Sequence, residues 1–547
     1  MRVCVLSRFK NPTVIQFTLF ISVFYVVVFN IPFFRIVQTG IAKQGEVDPL
    51  FIATLPVFLI LAFSFLFSLF SFKYLLKPFF ICLTLLSSSV FFAALQYGVV
   101  FDYGMIENAV QTNSAEASTY INLSSVVNFL FTGLLPSYAI CKLNIRYKPV
   151  IKELLYKFAF MLLMLVGIGV IGFFYYQNYV SFGRNNDELK RFIIPTYVLG
   201  SIVNYTNTNY LQTPLEYKQI GLDAVNVTKD TNKKPNLVVM VLGETARAMN
   251  YEYYGYDKPT NTYTKPYGLT AFMNTTSCGT ATAVSVPCMF SKMTRKDYDA
   301  REAKAQDGVM DVLQHGGIQL LWLDNDSGCK GVCNRVPHLI VKLDSYPKLC
   351  NGHNCLDQVL LNELDKALAE LKDQDSLLVL HIMGSHGPTY YLRYPEEHRT
   401  FTPDCQRSDI QNCSNEALMN NYDNTILYTD YILAQVVEKL IDQQERFDTG
   451  MIYVSDHGES LGEKGMYLHG APYAIAPDEQ THVPMLTWFS DDFASENSLD
   501  MTCLRKKARV GGFSHDNIFD SLLGIMNIKT QVYDKKMDMF SGCRLAN

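Results

Sequence analysis

The chain has 547 residues and a formal net charge of -5, so it is too long for one hydrophobic core and predicts at least two domains. The negative charge, without a basic stripe, excludes a nucleic-acid-binding protein. Hydropathy is uneven, because roughly the first 180 residues are strongly apolar and the remainder has the composition of an ordinary soluble protein.

Five apolar stretches are long enough to span a bilayer. Basic residues precede the first stretch and lie between the second and third and between the fourth and fifth. The loop between the third and fourth stretches carries Asp102, Glu107 and Glu116 and no Lys or Arg. The positive-inside rule therefore predicts a cytoplasmic N-terminus and a transmembrane domain over residues 1–177. The stretches are Val14–Val37, Phe51–Phe72, Pro78–Val100, Ile121–Cys141 and Phe158–Tyr176.

Residues 178–235 are predicted to link this domain to the remainder of the chain. Within them, Leu189–Ile202 mixes aromatic and aliphatic residues with Lys190 and Arg191. This pattern predicts an amphipathic helix that lies on the membrane surface. The alternative is an ordinary helix packed on the soluble domain.

From residue 236 onward, short apolar runs alternate with segments of helical periodicity. The strand candidates are Asn236–Leu242, Ile318–Leu323, Ser376–Ile382 and Met451–Val454. Apolar residues recur at helical spacing over 356–371 and 428–440. Residues 236–547 are therefore predicted to form an α/β domain with a mainly parallel sheet between helices.

Ten of the thirteen cysteines lie in this second half. An even set confined to the exported side of a membrane indicates disulfides in an oxidising compartment. The simplest pairing joins sequence neighbours, and a zinc ribbon built from Cys329, Cys333, Cys350 and Cys355 is the alternative. The neighbour pairs are Cys278–Cys288, Cys329–Cys333, Cys350–Cys355, Cys405–Cys413 and Cys503–Cys543.

Metal-ligand residue types follow several of the strand candidates. Glu244 follows the first, a segment with His386 follows the third, and Asp456 and His457 follow the fourth. Open α/β sheets bind ligands beyond the carboxyl ends of their strands. Glu244 alone is also typical of a helix cap, but two carboxylates and one imidazole together match a catalytic zinc site with an open fourth position. His457 then needs an acceptor that fixes its second ring nitrogen.

The segment Cys278–Cys288 is dense in small and hydroxyl-bearing residues. Metal coordination activates an alcohol that is a poor nucleophile by itself. Thr280, Thr282 and Ser285 are the candidates, and the chemistry of the residues does not choose among them. A polar turn made rigid by a disulfide is the alternative.

Four ordered motifs carry a resemblance to a known family. The motifs are Gly243-Glu-Thr-Ala-Arg247, Ser277–Cys288, Met383-Gly-Ser-His-Gly-Pro388 and Ser455-Asp-His-Gly-Glu-Ser-Leu-Gly-Glu463. They resemble the motifs of the lipid A phosphoethanolamine transferases. The similarity is greatest to the group that includes mobile colistin-resistance enzymes, and it extends over the whole chain. It implies a catalytic domain like that of alkaline phosphatases and sulfatases.

The resemblance also implies roles for individual residues. One zinc ion, with room for a second, is expected on Glu244, Asp456 and His457 with Thr282, and Thr282 is expected to be the nucleophile. The residues expected beside phosphate or a second zinc are His386 and His469. The residues expected to bind substrate are Ser327, Lys330, Asn108, Thr112 and Glu116. The alternatives are a surface histidine at His469, a solvated charge at Lys330, and a role for Glu116 in solvating its loop or in setting the membrane topology.

The implied reaction moves phosphoethanolamine from phosphatidylethanolamine to Thr282 and then to a lipid A phosphate. The expected setting is a bacterial inner membrane with the catalytic domain in the periplasm, and the protein acting as a monomer. The expected consequence is resistance to polymyxins, including colistin. The rival interpretations are transfer to another surface glycan, a membrane-anchored phosphodiesterase or sulfatase-type hydrolase, and a non-enzymatic sensor.

Overall fold

The computed structural model describes residues 11–44, 48–112, 114–227, 233–351 and 354–545. The chain divides into two compact units. We call the first the helical unit, which comprises Met1–Asp102 and Ile121–Val203. We call the second the sheet unit, which comprises Tyr103–Tyr120 and Asn204–Asn547. The acidic loop between the third and fourth apolar stretches therefore belongs to the sheet unit, a grouping that boundaries drawn along the sequence do not anticipate.

Eight of the first ten helices build the helical unit, and α5 and α6 lie in the loop that belongs to the sheet unit. Short π-helical turns at Tyr25–Phe29 and Phe129–Leu134 interrupt two of the spans. The helices are α1 (Val14–Phe24), α2 (Ile31–Gln44), α3 (Pro49–Ser68), α4 (Leu76–Tyr97), α5 (Tyr103–Gln111), α6 (Ser114–Thr119), α7 (Leu123–Asn128), α8 (Leu135–Lys142), α9 (Val150–Asn185) and α10 (Thr196–Thr206).

Within the described residues, four helices are long and apolar enough to cross a membrane, and a bent pair makes a fifth if it is one span. The four are Pro49–Ser68, Leu76–Tyr97, Leu123–Lys142 and Val150–Tyr179. The bent pair is Val14–Phe29 with Ile31–Ile41, at an angle of 57°. Each of the five predicted stretches lies on one of these elements.

The bend in the first span is occupied by Asn30, which is fully buried. Its Nδ2 donates to the carbonyl of Ile194 at 2.7 Å, and its Oδ1 accepts from the amide of Ile194 at 3.1 Å.

The predicted single helix over Leu189–Ile202 is wrong, because a 3-10 turn (Asp187–Phe192) and α10 replace it. Pro195 lies between them, and proline disfavours the helical conformation in the residue before it. Phe192, Ile194 and Val198 are buried, so these side chains pack within the protein instead of facing lipid.

The sheet unit is built on seven strands in the order β3-β11-β8-β2-β7-β5-β6. The four pairings from β8 to β6 are parallel, and β11 runs antiparallel to β8 and β3. The strands of the unit are β1 (Val225–Asn226), β2 (Asn236–Gly243), β3 (Thr270–Ala271), β4 (Asn274–Thr276), β5 (Gln319–Asp324), β6 (His338–Ile340), β7 (Ser376–His381), β8 (Asp448–Ser455), β9 (Ser460–Leu461), β10 (Tyr467–Leu468), β11 (Met485–Phe489), β12 (Gly512–Ser514) and β13 (Ile528–Lys529).

Both faces of this sheet are covered. All eight residues of β2 are buried, and successive side chains of a strand point to opposite faces. Val238, Met240 and Leu242 belong to a core that includes residues of α13 and α19. The helices of the unit are α11 (Thr282–Met289), α12 (Ala300–Lys304), α13 (Val309–His315), α14 (Gln358–Glu370), α15 (Asn415–Asp442), α16 (Asp478–Thr481), α17 (Asp491–Glu496), α18 (Met501–Val510) and α19 (Ile518–Ile525). The predicted mainly parallel sheet between helices is confirmed.

Five disulfides join the ten cysteines of the sheet unit, each between sequence neighbours. Cys329 pairs with Cys333 and Cys350 with Cys355, so these four sulfurs do not form a zinc ribbon. Among the described residues, the free cysteines are Cys82 and Cys141, both in the helical unit. Cys4 lies outside the described residues.

Candidate metal centre and nucleophile

The register of the parallel strands brings several polar side chains to one edge of the sheet. Leu242 of β2 pairs with His381 of β7, which pairs with Asp324 of β5. On the other side of β2, Gly243 pairs with Ser455 of β8. The residues that leave these strands therefore meet beyond their carboxyl ends, where α/β sheets place ligands.

Glu244, Asp456 and His457 form the centre of this edge, and all three are fully buried. His457 Nε2 lies 3.5 Å from Glu244 Oε1 and 3.3 Å from Asp456 Oδ2. His457 Nδ1 bonds to the carbonyl of Gly458 at 2.9 Å. Since that carbonyl is an acceptor, Nδ1 carries the proton and Nε2 presents its lone pair to the two carboxylates.

The electrostatics of the three residues are those of a site that needs a cation. Burial, together with the charge of Asp456, raises the pKa of Glu244 well above its ordinary value. Burial also raises the pKa of Asp456. Burial and neighbouring His469 lower the pKa of His457 well below its ordinary value, which keeps the imidazole neutral. A metal ligand must be a neutral imidazole or an ionised carboxylate, and a divalent cation supplies the missing positive charge.

The donor set fits a metal ion. Glu244 Oε1 and Asp456 Oδ2 are buried and accept no hydrogen bond from the described residues, although a buried polar atom normally has a partner. One ligand atom from each of Glu244, Asp456 and His457 lies within 4.8 Å of the others. A second group, Glu244 with Asp326 and His381, meets the same distance criterion. Two carboxylates and one imidazole are a donor set that zinc accepts.

Thr282 is the first residue of α11 and is buried beside this centre. Its hydroxyl donates to Glu244 Oε2 at 3.1 Å and lies 3.4 Å from His457 Nε2. The other two candidates point elsewhere: Thr280 donates to the carbonyl of Ala471 at 2.6 Å, and Ser285 donates to the carbonyl of Asp456. The Cys278–Cys288 disulfide brackets the segment. Of the three hydroxyls, that of Thr282 is the one placed against the carboxylates and the imidazole.

His469 lies against His457, and His386 lies against His469. The ring centroid of His469 is 4.5 Å from that of His457 and 5.3 Å from that of His386. His469 Nδ1 bonds to Glu459 Oε2 at 2.8 Å, and the hydroxyl of Tyr390 donates to Glu459 Oε1 at 2.5 Å. The Glu459 carboxylate therefore orients the His469 ring. Neither Glu459 nor Tyr390 was singled out from the sequence, although Glu459 lies in one of the motifs.

Ser327 and Lys330 lie on a turn that follows β5. Lys330 Nζ donates to Ser327 Oγ at 2.5 Å, and Ser327 Oγ donates to Asp326 Oδ2 at 2.8 Å. Lys330 has a φ of 52° and is flanked by Gly328 and Gly331 at 89° and 98°. The Cys329–Cys333 disulfide closes this turn, so Lys330 is held in a backbone conformation that most residues avoid.

Sequence reasoning missed Asp324, Asp326 and His381 as members of the site. His381 Nδ1 bonds to Asp324 Oδ2 at 2.9 Å. Burial raises the pKa of Asp326, but the charges of His381, Lys330 and His386 outweigh it and lower that pKa to about 2. Glu244 and Asp456 were identified because metal-ligand residue types follow strand candidates. The same signal applies here, since Asp324 and His381 are the last residues of their strands and Asp326 follows β5.

The three expected donor-binding residues belong to the acidic loop in the sheet unit. Asn108 is buried on α5, which packs against α11. The carbonyl of Asn108 accepts the hydroxyl of Thr112 at 2.8 Å. The side chain of Glu116 lies outside the described residues. A Cβ added at Gly470 would lie 3.1 Å from Met105 Sδ, so α5 also approaches the segment that carries His469.

Comparisons with known proteins identify the family of the chain. A family model described as phosphoethanolamine transferase EptA/EptB matches residues 59–210, and a sulfatase model matches residues 236–528. Phosphoethanolamine transferase EptA of Escherichia coli K12 is 39% identical over 96% of each chain. Phosphatidylethanolamine transferase Mcr-1 of Escherichia coli is 38% identical over 76% of this chain and 79% of its own.

A solved structure extends the similarity to the fold. Lipooligosaccharide phosphoethanolamine transferase A (EptA) from Neisseria meningitidis, an integral membrane protein, superposes with a TM-score of 0.93 at 36% identity. That alignment covers 98% of this chain and 99% of the solved chain. A membrane-embedded N-terminal region followed by a sulfatase-type sheet unit is common to both. The chain therefore belongs to the EptA/EptB phosphoethanolamine transferase family.

Proposed function

We propose that the protein transfers phosphoethanolamine from phosphatidylethanolamine to a phosphate of lipid A through a covalent intermediate on Thr282. The observation that carries this proposal is the position of the Thr282 hydroxyl, 3.1 Å from Glu244 Oε2 and 3.4 Å from His457 Nε2. Relatives at lower identity are named Kdo(2)-lipid A phosphoethanolamine 7''-transferases, which supports lipid A as the acceptor.

The metal in this proposal is zinc. Glu244, Asp456 and His457 would hold it with Thr282, and His386 and His469 would lie beside it or hold a second ion. Bound there, zinc would lower the pKa of the Thr282 hydroxyl and offset the charge of phosphoryl oxygens.

In the first step, Thr282 Oγ attacks the phosphorus of phosphatidylethanolamine, and the bond from phosphorus to the diacylglycerol oxygen breaks. Glu244 accepts the hydroxyl hydrogen bond of Thr282 in the structure, which orients the nucleophile. The leaving oxygen takes a proton from His469 or His386, and the proton that Thr282 loses restores that histidine. Glu459 holds the His469 ring through Nδ1, so Nε2 is the atom that would exchange the proton.

In the second step, a phosphate oxygen of lipid A attacks the phosphorus on Thr282, and the bond from phosphorus to Thr282 Oγ breaks. Phosphoethanolamine leaves the enzyme on the acceptor, and Thr282 Oγ takes the proton that the attacking phosphate gives up. The amide groups of the first turn of α11 would stabilise the negative charge of the phosphoryl group on Thr282, since a helix N-terminus favours anions. Lys330 adds a cation that Ser327 holds in place.

Donor recognition is assigned to the acidic loop and the turn after β5. The ethanolamine ammonium needs an anionic or carbonyl partner, and Glu116 with Asn108 and Thr112 would provide it. Ser327 and Lys330 would contact the phosphate. The packing of α5 against α11 supports this assignment, since it places the loop in the same unit as Thr282.

We also propose a bacterial inner-membrane location with the N-terminus in the cytoplasm and the sheet unit in the periplasm. Five disulfides in the sheet unit and free cysteines in the helical unit support this orientation, because the periplasm is oxidising. A single chain supplies every side chain named in the mechanism, so a monomer suffices. Modified lipid A carries an added amine and attracts cationic polymyxins less strongly, which would confer resistance to colistin.

Mass spectrometry of lipid A from cells that express the protein tests this proposal. We expect a phosphoethanolamine adduct with the wild-type chain and none with Thr282→Ala. Thr280→Ala is the matched control, because its hydroxyl lies two residues away and bonds to Ala471, and it should retain the adduct. Absence of the adduct in every strain, with each protein present in the membrane, would contradict lipid A as acceptor and favour another glycan or hydrolysis.

A further inference from the structure

A cavity of about 300 Å³ lies in the sheet unit at the end of the nucleophile helix. Phe290 and Ser291, which follow α11, form one wall. Ala303 and Lys304 of α12 form a second, and the turn closed by the Cys329–Cys333 disulfide forms a third. Its volume is at the lower end of the range for small-molecule sites. The mechanism above uses only one of its lining residues, Lys330.

Three basic side chains from different segments line this cavity: Lys304, Lys330 and Arg335. Asp311 is the one acidic residue among the described residues of the lining. Arg335 bonds to both oxygens of Asp311 at 2.7 and 2.6 Å, and Lys304 Nζ lies 2.6 Å from Glu107 Oε1. Both basic side chains are 40% exposed, and their acidic partners are buried.

These ion pairs hold the cations in position without using all of their donors. An arginine side chain has five N–H donors, and Arg335 uses its Nε and Nη2 groups to bond to Asp311. A lysine side chain has three N–H donors, and Lys304 uses one of them to bond to Glu107. A positioned cation loses little side-chain entropy when an anion binds it. Ser291, Gln306 and Asn334 add neutral hydroxyl and amide groups to the lining. The combination suits a ligand with both phosphate and hydroxyl groups.

The cavity is connected to the catalytic centre by two hydrogen bonds. Lys330 Nζ donates to Ser327 Oγ at 2.5 Å, and Ser327 Oγ donates to Asp326 at 2.8 Å. Asp326 offers a ligand atom within 4.8 Å of one from Glu244. Phe290 follows directly on the helix that begins with Thr282. An α-helix rises about 1.5 Å per residue, so Phe290 lies about 12 Å along the helix axis from Thr282. A ligand in the cavity reaches the site of phosphoryl transfer by extending past Lys330 and Ser327.

We propose that this cavity binds the phosphorylated hexosamine of the acceptor during the second step. The inference rests on the proposed function. Lys304 with Glu107 and Arg335 with Asp311 are neutral as pairs, so Lys330 leaves the cavity with one excess positive charge. That charge disfavours the ammonium that ends the donor head group. The acceptor before modification offers phosphate monoesters and sugar hydroxyls, which these side chains would bind.

The test separates the two half-reactions of the full-length protein in lipid vesicles. Release of labelled diacylglycerol without acceptor reports the donor step, and steady-state turnover against the concentration of lipid A gives the acceptor KM. We expect Lys304→Gln and Arg335→Gln to raise that KM about tenfold or more, as expected for loss of a charge-assisted contact. The initial release of diacylglycerol should be unchanged in Arg335→Gln. In Lys304→Gln it should fall as well, because Glu107 of the donor-binding helix α5 loses its counter-charge.

Matched controls come from basic residues elsewhere in the sheet unit. Lys233 is 43% exposed and paired with Glu496, and Arg446 is 42% exposed and paired with Asp373. Lys233→Gln and Arg446→Gln remove the same charges as the test variants and should leave both half-reactions unchanged. An equal rise of the acceptor KM in these controls would mean that overall charge, and not the cavity, binds the acceptor.

A second pair of variants keeps every charge. Ala303→Phe places a ring in the cavity, whereas Ala300→Phe alters the same helix outside the lining. Ala303→Phe should raise the acceptor KM and Ala300→Phe should not. An unchanged acceptor KM in Ala303→Phe, or an equal loss of the donor step, would overturn the inference. A wild-type protein that releases no diacylglycerol, or whose turnover ignores lipid A, would contradict the proposed function instead.

Discussion

The helical unit and the sheet unit both bury polar side chains, but they satisfy them in different ways. In the helical unit, Thr18, Ser22 and Ser68 each donate to the carbonyl four residues earlier in the same helix. In the sheet unit, Glu244, Asp456 and His457 are fully buried on separate loops. Glu244 Oε1 and Asp456 Oδ2 accept no hydrogen bond from the described residues.

The difference teaches how a buried polar group should be interpreted. A hydroxyl that bonds to its own helix is satisfied locally, so it is compatible with a lipid-facing or buried helix and indicates no site. A buried carboxylate with an unbonded oxygen is costly, so a folded chain keeps it where a cation offsets its charge. Lys304 does this for Glu107, and a metal ion would do it for Glu244 and Asp456. Burial of a polar side chain therefore indicates structure where the side chain bonds to its own helix. It indicates a functional site at Glu244 and Asp456, whose buried carboxylates have an unbonded oxygen.

The largest expected effect comes from removing a charge from the carboxylate pair. Asp456→Asn should lose bound metal and lower the rate of transfer by about a thousandfold or more, because the metal and its activation of Thr282 are lost together. Metal content by elemental analysis and the transfer rate are the two measurements. Asp448→Asn, at the other end of β8 and also buried, is the control and should keep its metal. Full metal occupancy in Asp456→Asn would contradict the assigned ligands.

The next effect concerns a buried charge in the sheet unit that has a partner. Arg247 is almost fully buried, and its Nη1 lies 2.7 Å from Glu463 Oε1. Arg247→Met should lower the free energy of unfolding by about 3–5 kcal/mol, because Glu463 loses its counter-charge. Thermal unfolding of the full-length protein measures this, and Arg446→Gln, an exposed pair with Asp373, should change little.

The same pair gives a pH dependence. Burial raises the pKa of Glu463, but Arg247 outweighs it and holds that pKa below its ordinary value. The contribution to stability is complete above the unfolded-state pKa of about 4.3 and is lost as the pH falls through the lower folded-state pKa. The stability difference between wild type and Arg247→Met should therefore narrow in acid. A difference that is constant from neutral to acidic pH would contradict the ion pair.

A smaller effect is expected from the carboxylate that orients His469. Glu459→Gln keeps the size of the side chain and removes its charge, so transfer should fall by about tenfold, as for other residues that orient a site histidine. Tyr390→Phe removes a hydrogen bond to the same carboxylate and should have a weaker effect in the same direction. Kinetic assays with unchanged metal content distinguish this role from that of a ligand. No change in either variant would exclude an orienting role for Glu459.

The last comparison concerns the helical unit, where the expected effects are on stability and not on the rate of transfer. Asn30→Leu removes both hydrogen bonds to Ile194 and should lower stability by about 1–3 kcal/mol. Ser68→Ala removes one hydrogen bond within its own helix and should lower stability by less than about 1 kcal/mol. Thermal unfolding in detergent measures both. A larger loss of stability in Ser68→Ala than in Asn30→Leu would contradict the contrast between hydrogen bonds within one helix and hydrogen bonds between distant segments.

Strand ends were predictable from the sequence because apolar runs and the residues that follow them are local signals. Glu244, Asp456 and His457 were found in this way, and the observed register brings them together. The N-terminal half of α15 was not predicted, since its buried Asn420, Asn421, Asp423 and Asn424 hide the apolar period. Those side chains bond to loops distant in sequence, which no local pattern reveals.

Two other features depend on tertiary contacts. Glu107 appears in the sequence as one acid in an outer loop, but in the structure it is buried and ion-paired with Lys304, which ties α5 to the sheet unit. Asp326 and His381 were present in recognised segments, yet their approach to Glu244 follows from the pairing of β5, β7 and β2. Residues that act through partners far along the chain are the ones that sequence reasoning missed.

The central claim is that Thr282 carries phosphoethanolamine during turnover. The most direct test incubates the full-length protein with phosphatidylethanolamine and no acceptor, then measures the mass of the proteolytic peptide that contains Thr282. The account predicts a phosphoethanolamine adduct on Thr282 that disappears when lipid A is added and is absent from Thr282→Ala. Diacylglycerol release at the wild-type rate by Thr282→Ala, or an adduct on another residue, would contradict it.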